Sequence, residues 1–294
     1  MGTYTNDVAA LNPQNWADAI QENIMKELSA KEVCDLRFKK NLSAGSRVHF
    51  PMFGSLTTTA YVKGTDVTVQ ALDSTDEYLD VDQQWESSFY LDMVDKKQNL
   101  YSAMEAGIRE LTDALAQKVE TLAYAEVLNA YDTFDAGDSG MAGSSGSAIA
   151  LTTSNVATMF ARAKGKLRKK LGGKKLLGNL VAVVDSDVAA VIEEKATTSG
   201  FNVADAAFKN GYAGDYMGVK IYVSENIDTT TSSRKHCYFG LAKQIALAMQ
   251  IEPTIQIDND PYKFGKIVKG LEVFGLKTFT RRGERFLDLQ VTVA

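Results

Sequence analysis

Val183-Val184-Asp185-Ser186-Asp187 sets two carboxylates at the end of an apolar run. Oxygen ligands so placed hold hard divalent cations, as a metal-dependent nucleotide-sugar transferase requires. The same residues also read as a helix start, with Asp185 or Ser186 as the cap and Asp187 complementing the helix N-terminus. No histidine or glycine-rich phosphate loop accompanies the pair, which favours the cap. Asp135-Ala136-Gly137-Asp138-Ser139-Gly140 echoes a calcium loop but lacks the distal glutamate, and reads as a flexible linker. Asp258-Asn259-Asp260-Pro261 reads as a turn. A nucleophilic cysteine needs a histidine facing it in space. His236 and Cys237 are neighbours in a strand pattern and point to opposite faces. Cys34 with His49 or His236 stays open, against the common role of a free cysteine as a small buried hydrophobe.

Lys164 to Lys175 holds seven basic residues in twelve, among them Lys164, Lys166, Arg168, Lys169 and Lys170. Such a run suits a phosphate backbone or an acidic partner. It equally suits the solvated face of an amphipathic helix whose apolar side is Val156, Phe160, Ala163, Leu167 and Leu171. No aromatic residues interleave with the lysines, which disfavours single-strand stacking.

The elements that carry these residues are unusually extended. From Gly45 to Tyr90 apolar residues alternate: Val48, Phe50, Met52; Thr57, Thr59, Tyr61; Val67, Val69, Ala71. Lys63-Gly64 forms the turn signal, so the segment reads as a long hairpin. A two-stranded ribbon is marginal in water and must lie on something, most economically a neighbouring subunit. Residues 95–131 then read as one helix with the stripe Leu100, Met104, Ile108, Leu111, Leu115, Val119, Leu122. Such a rod is about 55 Å long, as wide as a compact chain of this size, roughly 50 Å. Trp16, Ile20, Ile24 and Leu28 predict a short helix able to dock on its own domain or on a neighbour. Beyond the glycine- and serine-rich stretch 136–147, Leu180–Val184, Val219–Val223 and Ile245–Met249 read as strands, with helices after Ser154 and Ser186. Phe264 to Val293 reads as nearly all strand. The class is α+β.

Bulk properties narrow the function. The 294 residues carry 32 basic and 37 acidic side chains, a formal net charge of −5, which argues against a dedicated nucleic-acid binder. Two distant cysteines give no disulfide framework or zinc ribbon. No window reaches eighteen consecutive apolar residues, so no membrane span is expected.

Four stretches in this order carry a resemblance: SRVHFPMFGSLTTTAYVKGTDVTVQALDSTDEYLDVDQ, VDKKQNLYSAMEAGIRELTDALAQKVETL, GYAGDYMGVKIYVSENI and GLEVFGLKTFTRRGERFLDLQV. Together they resemble the extended loop, spine helix, axial domain and closing strands of tailed-phage major capsid proteins of the Hong Kong 97-type fold. The resemblance implies an N-arm (1–44), an extended loop (45–91) and a spine helix of the peripheral domain (92–135). It further implies an axial domain (136–260, with 136–149 a flexible connector) and C-terminal strands of the peripheral domain (261–294). It implies a non-enzymatic shell subunit with no cofactor, metal or catalytic residue. Hexamers and pentamers would enclose double-stranded DNA, with Tyr61, Lys63, Gly64, Asp66, Val67 and Val69 gripping a neighbour and Trp16, Ile20 and Ile24 docking the arm. A portal and weak DNA contact follow, in a virion assembled in the host cytoplasm. The start at Met1 with a short arm implies a separate scaffolding protein. An encapsulin-type cargo compartment is the alternative within the fold. The family's prototype joins a loop lysine to a peripheral-domain asparagine. Lys63 is placed for this, but residues 262–294 contain no asparagine, so a noncovalent shell is expected.

Overall fold

A computed structural model describes residues 29–37, 47–98, 103–138, 140–171, 179–198, 212–227 and 234–293. Trp16, Ile20, Ile24, Leu28, Leu100, Lys174 and Lys175 lie outside these, and with them the expected N-terminal helix. In chain order the elements are α1 (Ala30–Val33), β1 (Cys34–Asp35), β2 (Arg47–Phe53), β3 (Ser74–Asp80), β4 (Gln83–Asp92), α2 (Met93–Gln98) and α3 (Ala103–Ala125). A 3-10 turn (Glu126–Asn129) leads to β5 (Asp132–Phe134), β6 (Ile149–Leu151), α4 (Val156–Lys170), β7 (Leu180–Val184) and α5 (Ser186–Thr198). Then follow β8 (Tyr212–Tyr216), β9 (Val219–Val223), β10 (Lys235–Leu241), β11 (Ile245–Asn259), β12 (Gly265–Lys277), α6 (Thr280–Gly283) and β13 (Phe286–Val293).

Three sheets result. A seven-stranded sheet runs β5-β13-β10-β7-β9-β8, with β6 also on β13. All five residues of β7 are buried, as expected of a central strand covered on both faces. On one face α4 packs Met159, Phe160, Ala163 and Leu167, all at 0% exposure, with Phe160 edge-on to Phe239 at 5.7 Å. A four-stranded sheet runs β1-β11-β12-β4, and β2-β3 form a separate ribbon.

The predicted helical stripe is the contact that holds α3 to the four-stranded sheet. Leu111 and Leu115 pack on Val268, flanked by Met104, Ile108, Trp85 and Phe89. Two glycines permit the approach. A Cβ on Gly107 would lie 2.6 Å from the Phe89 ring, and one on Gly270 would lie 2.4 Å from Leu111. Lys118 Nζ sits 3.9 Å above the Trp85 ring. The far end of α3 serves the other sheet. Glu120, 1% exposed, accepts the backbone N–H groups of Ser29 (2.5 Å) and Ala30 (3.0 Å). Its second oxygen takes the Asn226 amide at 2.6 Å. One helix thus joins the start of the described chain, the sheet beneath it and the turn after β9.

Several expectations are revised. The described part of the long helix is 23 residues, Ala103–Ala125, about 35 Å, and it tightens into a 3-10 turn before residue 131. Residues 136–138 and 140–147 form a laced loop rather than a slack connector. The Ala136 N–H donates to the Ser147 carbonyl at 2.9 Å. Asp135 accepts from the N–H groups of Gly137 and Gly146 at 2.9 and 2.6 Å. Two of its glycines serve close packing: a Cβ on Gly137 would meet the Ser145 backbone at 2.5 Å, and one on Gly143 would meet the Ala136 Cβ at 2.5 Å. Strand pairing also divides the last segment: β12 joins the four-stranded sheet, whereas β13 lies beside β10 in the seven-stranded one. β11 belongs with β12, so it falls outside the 136–260 grouping. Its length, to Asn259, was hidden by two register shifts around Glu252-Pro253, since a bulge breaks the two-residue period.

One core residue contradicts its surroundings. Glu272, at 0% exposure, lies across from Trp85, and neither carboxylate oxygen has a hydrogen-bond partner among the described residues. Burial pushes its pKa up from 4.5 to about 7. A raised folded-state pKa favours the native state below the unfolded value, and that advantage is lost as pH rises through the folded value. The stability of the wild-type chain relative to Glu272→Gln should therefore fall by about 3 kcal/mol between pH 4.5 and pH 7.5. Thermal or urea melts across that window check this; a difference independent of pH would refute the assignment.

Candidate functional site

The enzyme-like groups are all accounted for by internal partners. Lys235 Nζ sits between the carboxylates of Asp185 and Asp187, bonded to both. Asp187 is held below the usual carboxylate range by Lys235. The place where a transferase would hold a metal ion is taken by an ammonium group, which corrects the metal-site reading of this pair. The Asp185 carbonyl accepts the Ala189 N–H at 2.9 Å, so Asp185 stands at the head of α5. No group of His, Cys, Asp or Glu among the described residues is arranged to hold a metal ion.

Cys34 and Cys237 are buried, and desolvation pushes both thiols up to about 12, far from a reactive thiolate. His49 pairs with Asp76 across the β2-β3 ribbon at 2.5 Å, and His236 pairs with Asp288 at 2.8 Å. Asp260 accepts from the Tyr262 and Lys263 N–H groups at 2.8 and 3.2 Å, the expected turn.

The basic stretch divides on inspection. Lys164 donates to the Met217 carbonyl. Partial burial pulls Lys166 down, but ion pairs with Asp138 (2.9 Å) and Asp132 (3.2 Å) more than offset it. Lys170 covers the Tyr131 ring at 3.4 Å. Only part of the run is left facing outward.

What remains unexplained by internal contacts is the loop beyond the ribbon. β2 and β3 pair in register from Arg47↔Asp80 to Phe53↔Ser74. The predicted ladder stops there. Residues 54–73 are held together by the Gly54 N–H to the Asp73 carbonyl (2.8 Å) and by Gln70, whose amide spans Thr57. The Thr57 N–H donates to Gln70 Oε1 at 3.0 Å, and Gln70 Nε2 donates to the Thr57 carbonyl at 2.7 Å. The Thr65 N–H closes a turn onto Val62 at 3.2 Å, with Gly64 at φ +90°, a backbone setting that suits glycine. Lys63 and Asp66 are exposed beside this turn. Tyr61, Val67 and Val69 are 77%, 74% and 90% exposed. These three are among the most exposed large apolar side chains of the described residues.

The loop's base is firm, and this was not legible beforehand. Val48, Leu79 and Val81 pack with Ala246, Ala248, Val273 and Phe279, and Phe50 meets the Phe279 ring edge-on at 4.7 Å. Arg47 forks onto Asp80 at 2.6 and 3.2 Å. Thr280 donates to Glu77, and Arg281 to the Phe53 carbonyl. Gly275 lets the ribbon cross the sheet: a Cβ there would lie 2.1 Å from the Asp80 carbonyl oxygen. A second exposed apolar end, Tyr262 and Phe264 with Ile255 and Ile257, was also missed. Its signal is two aromatics inside a turn, Pro261-Tyr262-Lys263-Phe264.

Residues 87–283 match the family model described as phage capsid protein. Among solved structures, the chain is similar to one from Mycobacterium phage Che8, with 21% identity over 99% of this chain and 98% of that one, TM-score 0.75. The capsid of cyanophage P-SCSP1u gives 15% identity, coverage of 100% and 95%, and TM-score 0.73. The capsid of the myovirus XM1 gives 13% identity, coverage of 99% and 99%, and TM-score 0.69. None of the curated proteins matches the chain.

The crossing at Gly275 can be tested without touching the loop. Gly275→Ala should destabilise the chain by about 1–3 kcal/mol, because the obstructing atom is backbone. Gly54→Ala, whose Cβ would lie 3.4 Å from the nearest atom, should stay within about 0.5 kcal/mol. Urea denaturation separates the two; equal small effects would show that the ribbon is free to shift.

Proposed function

The chain belongs to the phage capsid protein family, and we propose that it tiles an icosahedral phage head as hexamers and pentamers that enclose double-stranded DNA. Its role is that of a structural shell protein of the virion. The observation that carries the finer reading is the strip 54–73, which presents Tyr61, Val67 and Val69 to solvent on a base fixed to the subunit core. In the Hong Kong 97-type arrangement this strip lies across the adjacent subunit, with Lys63, Gly64 and Asp66 at its turn. The N-terminal arm, with Trp16, Ile20 and Ile24, adds a second contact between copies.

The link is noncovalent, since no asparagine occurs in residues 262–294 to meet Lys63. A separate scaffolding protein and a portal are the further partners, with assembly in the host cytoplasm. No helix among the described residues is long and apolar enough to cross a membrane. Contact with packaged DNA is weak and nonspecific, consistent with the net charge of −5 and with lysines of α4 that are turned to internal partners.

Purified chain, with and without scaffold, should form capsomers or closed shells under negative-stain microscopy. Monomers alone at high concentration would contradict the reading, and shells filled with a cargo enzyme would point to a cellular compartment instead. Replacing residues 58–72 with a short turn should leave a folded subunit, judged by circular dichroism, that no longer closes a shell. Normal closure by that variant would remove the loop from the mechanism.

A further inference from the structure

The stretch Thr65-Asp66-Val67-Thr68-Val69-Gln70-Ala71 carries the two-residue alternation of a strand, yet it has no ladder in its own subunit. Among the described residues, no backbone group from 66 to 72 bonds to another backbone group. The tie across this part of the strip is the Gln70 side chain on Thr57. Free N–H and carbonyl groups along a β-branched segment make it a strand without a partner.

A strand edge without a partner stands elsewhere in the fold. β4 is paired on one side only, by β12, through ten consecutive residue pairs without a register shift. No further backbone hydrogen bond among the described residues reaches it. Proteins guard open edges with proline, bulges, charge or shortness. The other open edges here are guarded in these ways. β2 contains Pro51, and β3 carries Asp76, Glu77 and Asp80. β11, beyond its short pairing with β1, has Pro253 and two register shifts. β8 shifts register at Gly214, and β1, β5 and β6 have two or three residues each. β4 has ten residues and no proline, lysine or arginine, and Glu86 is its one charge before Asp92.

The side chains along this edge match the segment. On the face toward α3, Trp85 and Phe89 are half-buried against Leu111, Leu115 and Val268. Ser87, two residues from each, leaves a step between the two rings. Val67 and Val69 share one face of their segment, about 7 Å apart, and fill that step as a β-branched pair beside aromatics. A second β4 is a poorer occupant, because it would bring the Glu86 and Asp92 carboxylates of two copies together. The segment's one charge, Asp66, precedes Val67 and can stay outside the pairing.

Resting on the loop's role as a contact between copies, we propose that residues 66–71 of one copy add as a fifth strand to the four-stranded sheet of the next, along the outer edge of β4. Backbone hydrogen bonds supply the grip, and Val67 and Val69 set the register.

Hydrogen–deuterium exchange on the full chain, unassembled and in closed shells, tests the pairing. Amides in both 66–71 and 83–92 should exchange about tenfold or more slowly in shells. Disulfide trapping tests the register. Val69→Cys combined in turn with Glu86→Cys, Ser87→Cys or Ser88→Cys should give, in at least one oxidised shell, a ladder of linked chains on a non-reducing gel, since paired strands bring Cα atoms to about 4.5–5.5 Å. The native Cys34 and Cys237 are buried, and neither half of the pair alone should give the ladder. Protection of 66–71 without protection of 83–92 overturns the proposal while the loop's role stands. Closed shells in which neither segment is protected remove both. Absence of the ladder at all three positions also overturns the strand pairing.

Discussion

The proposed assembly depends on burial of the apolar side chains that residues 54–73, twenty consecutive residues with few contacts among themselves, expose to solvent. Residues 54–73 are held at the Gly54–Asp73 step, at Thr57–Gln70 and at the Val62–Thr65 turn, while Tyr61, Val67 and Val69 stand almost fully exposed. Each such side chain gains about 1.5–3 kcal/mol on full burial. No partner among the described residues of the subunit supplies it. In the proposed assembly a neighbouring copy would supply that gain, and the packed base of the ribbon keeps the strip presented.

That presentation depends on a stiff base. The ribbon crosses β12 where Gly275 removes the side chain that would strike Asp80, and α3 rests on the same sheet through Gly107 and Gly270. Glycine at these three places exchanges local propensity for close backbone contact. α3 then reaches from the four-stranded sheet to Glu120 and its partners Ser29, Ala30 and Asn226. Glu272 sits within this base as an unpaired carboxyl beneath α3, so ionisation works against the same packing that holds the strip in place. Among the charged groups on the strands around it, Glu86 and Glu252 are exposed, and Lys118 on the helix is engaged with Trp85.

Much of this was legible in the sequence, for identifiable reasons. The stripe from Met104 to Leu122 and the α4 stripe Val156, Phe160, Ala163, Leu167 announce buried faces, because a single period governs each. The alternation of Val48, Phe50 and Met52 marked the ribbon, and Lys63-Gly64 its turn. The far half of the loop misled, since Thr and Val alternate there without forming a ladder. The glycine-rich 136–147 read as slack because composition cannot distinguish freedom from close packing. β10 was read only at His236-Cys237, its apolar run being short and broken by Gly240, which lies against Phe286. The Asp185–Asp187 pair carried an open choice that only the position of Lys235, about fifty residues away in sequence, could decide. The order of elements, by contrast, was already enough to suggest the family.

The central claim is that the strip 54–73 is completed by a second copy of the chain. A cryo-electron-microscopy reconstruction of the assembled particle, traced through this strip, tests it most directly. The account predicts residues 54–73 lying across a neighbouring subunit, with Tyr61, Val67 and Val69 covered and no covalent density from Lys63. A strip folded back on its own subunit, or standing free in solvent within a closed shell, would contradict it.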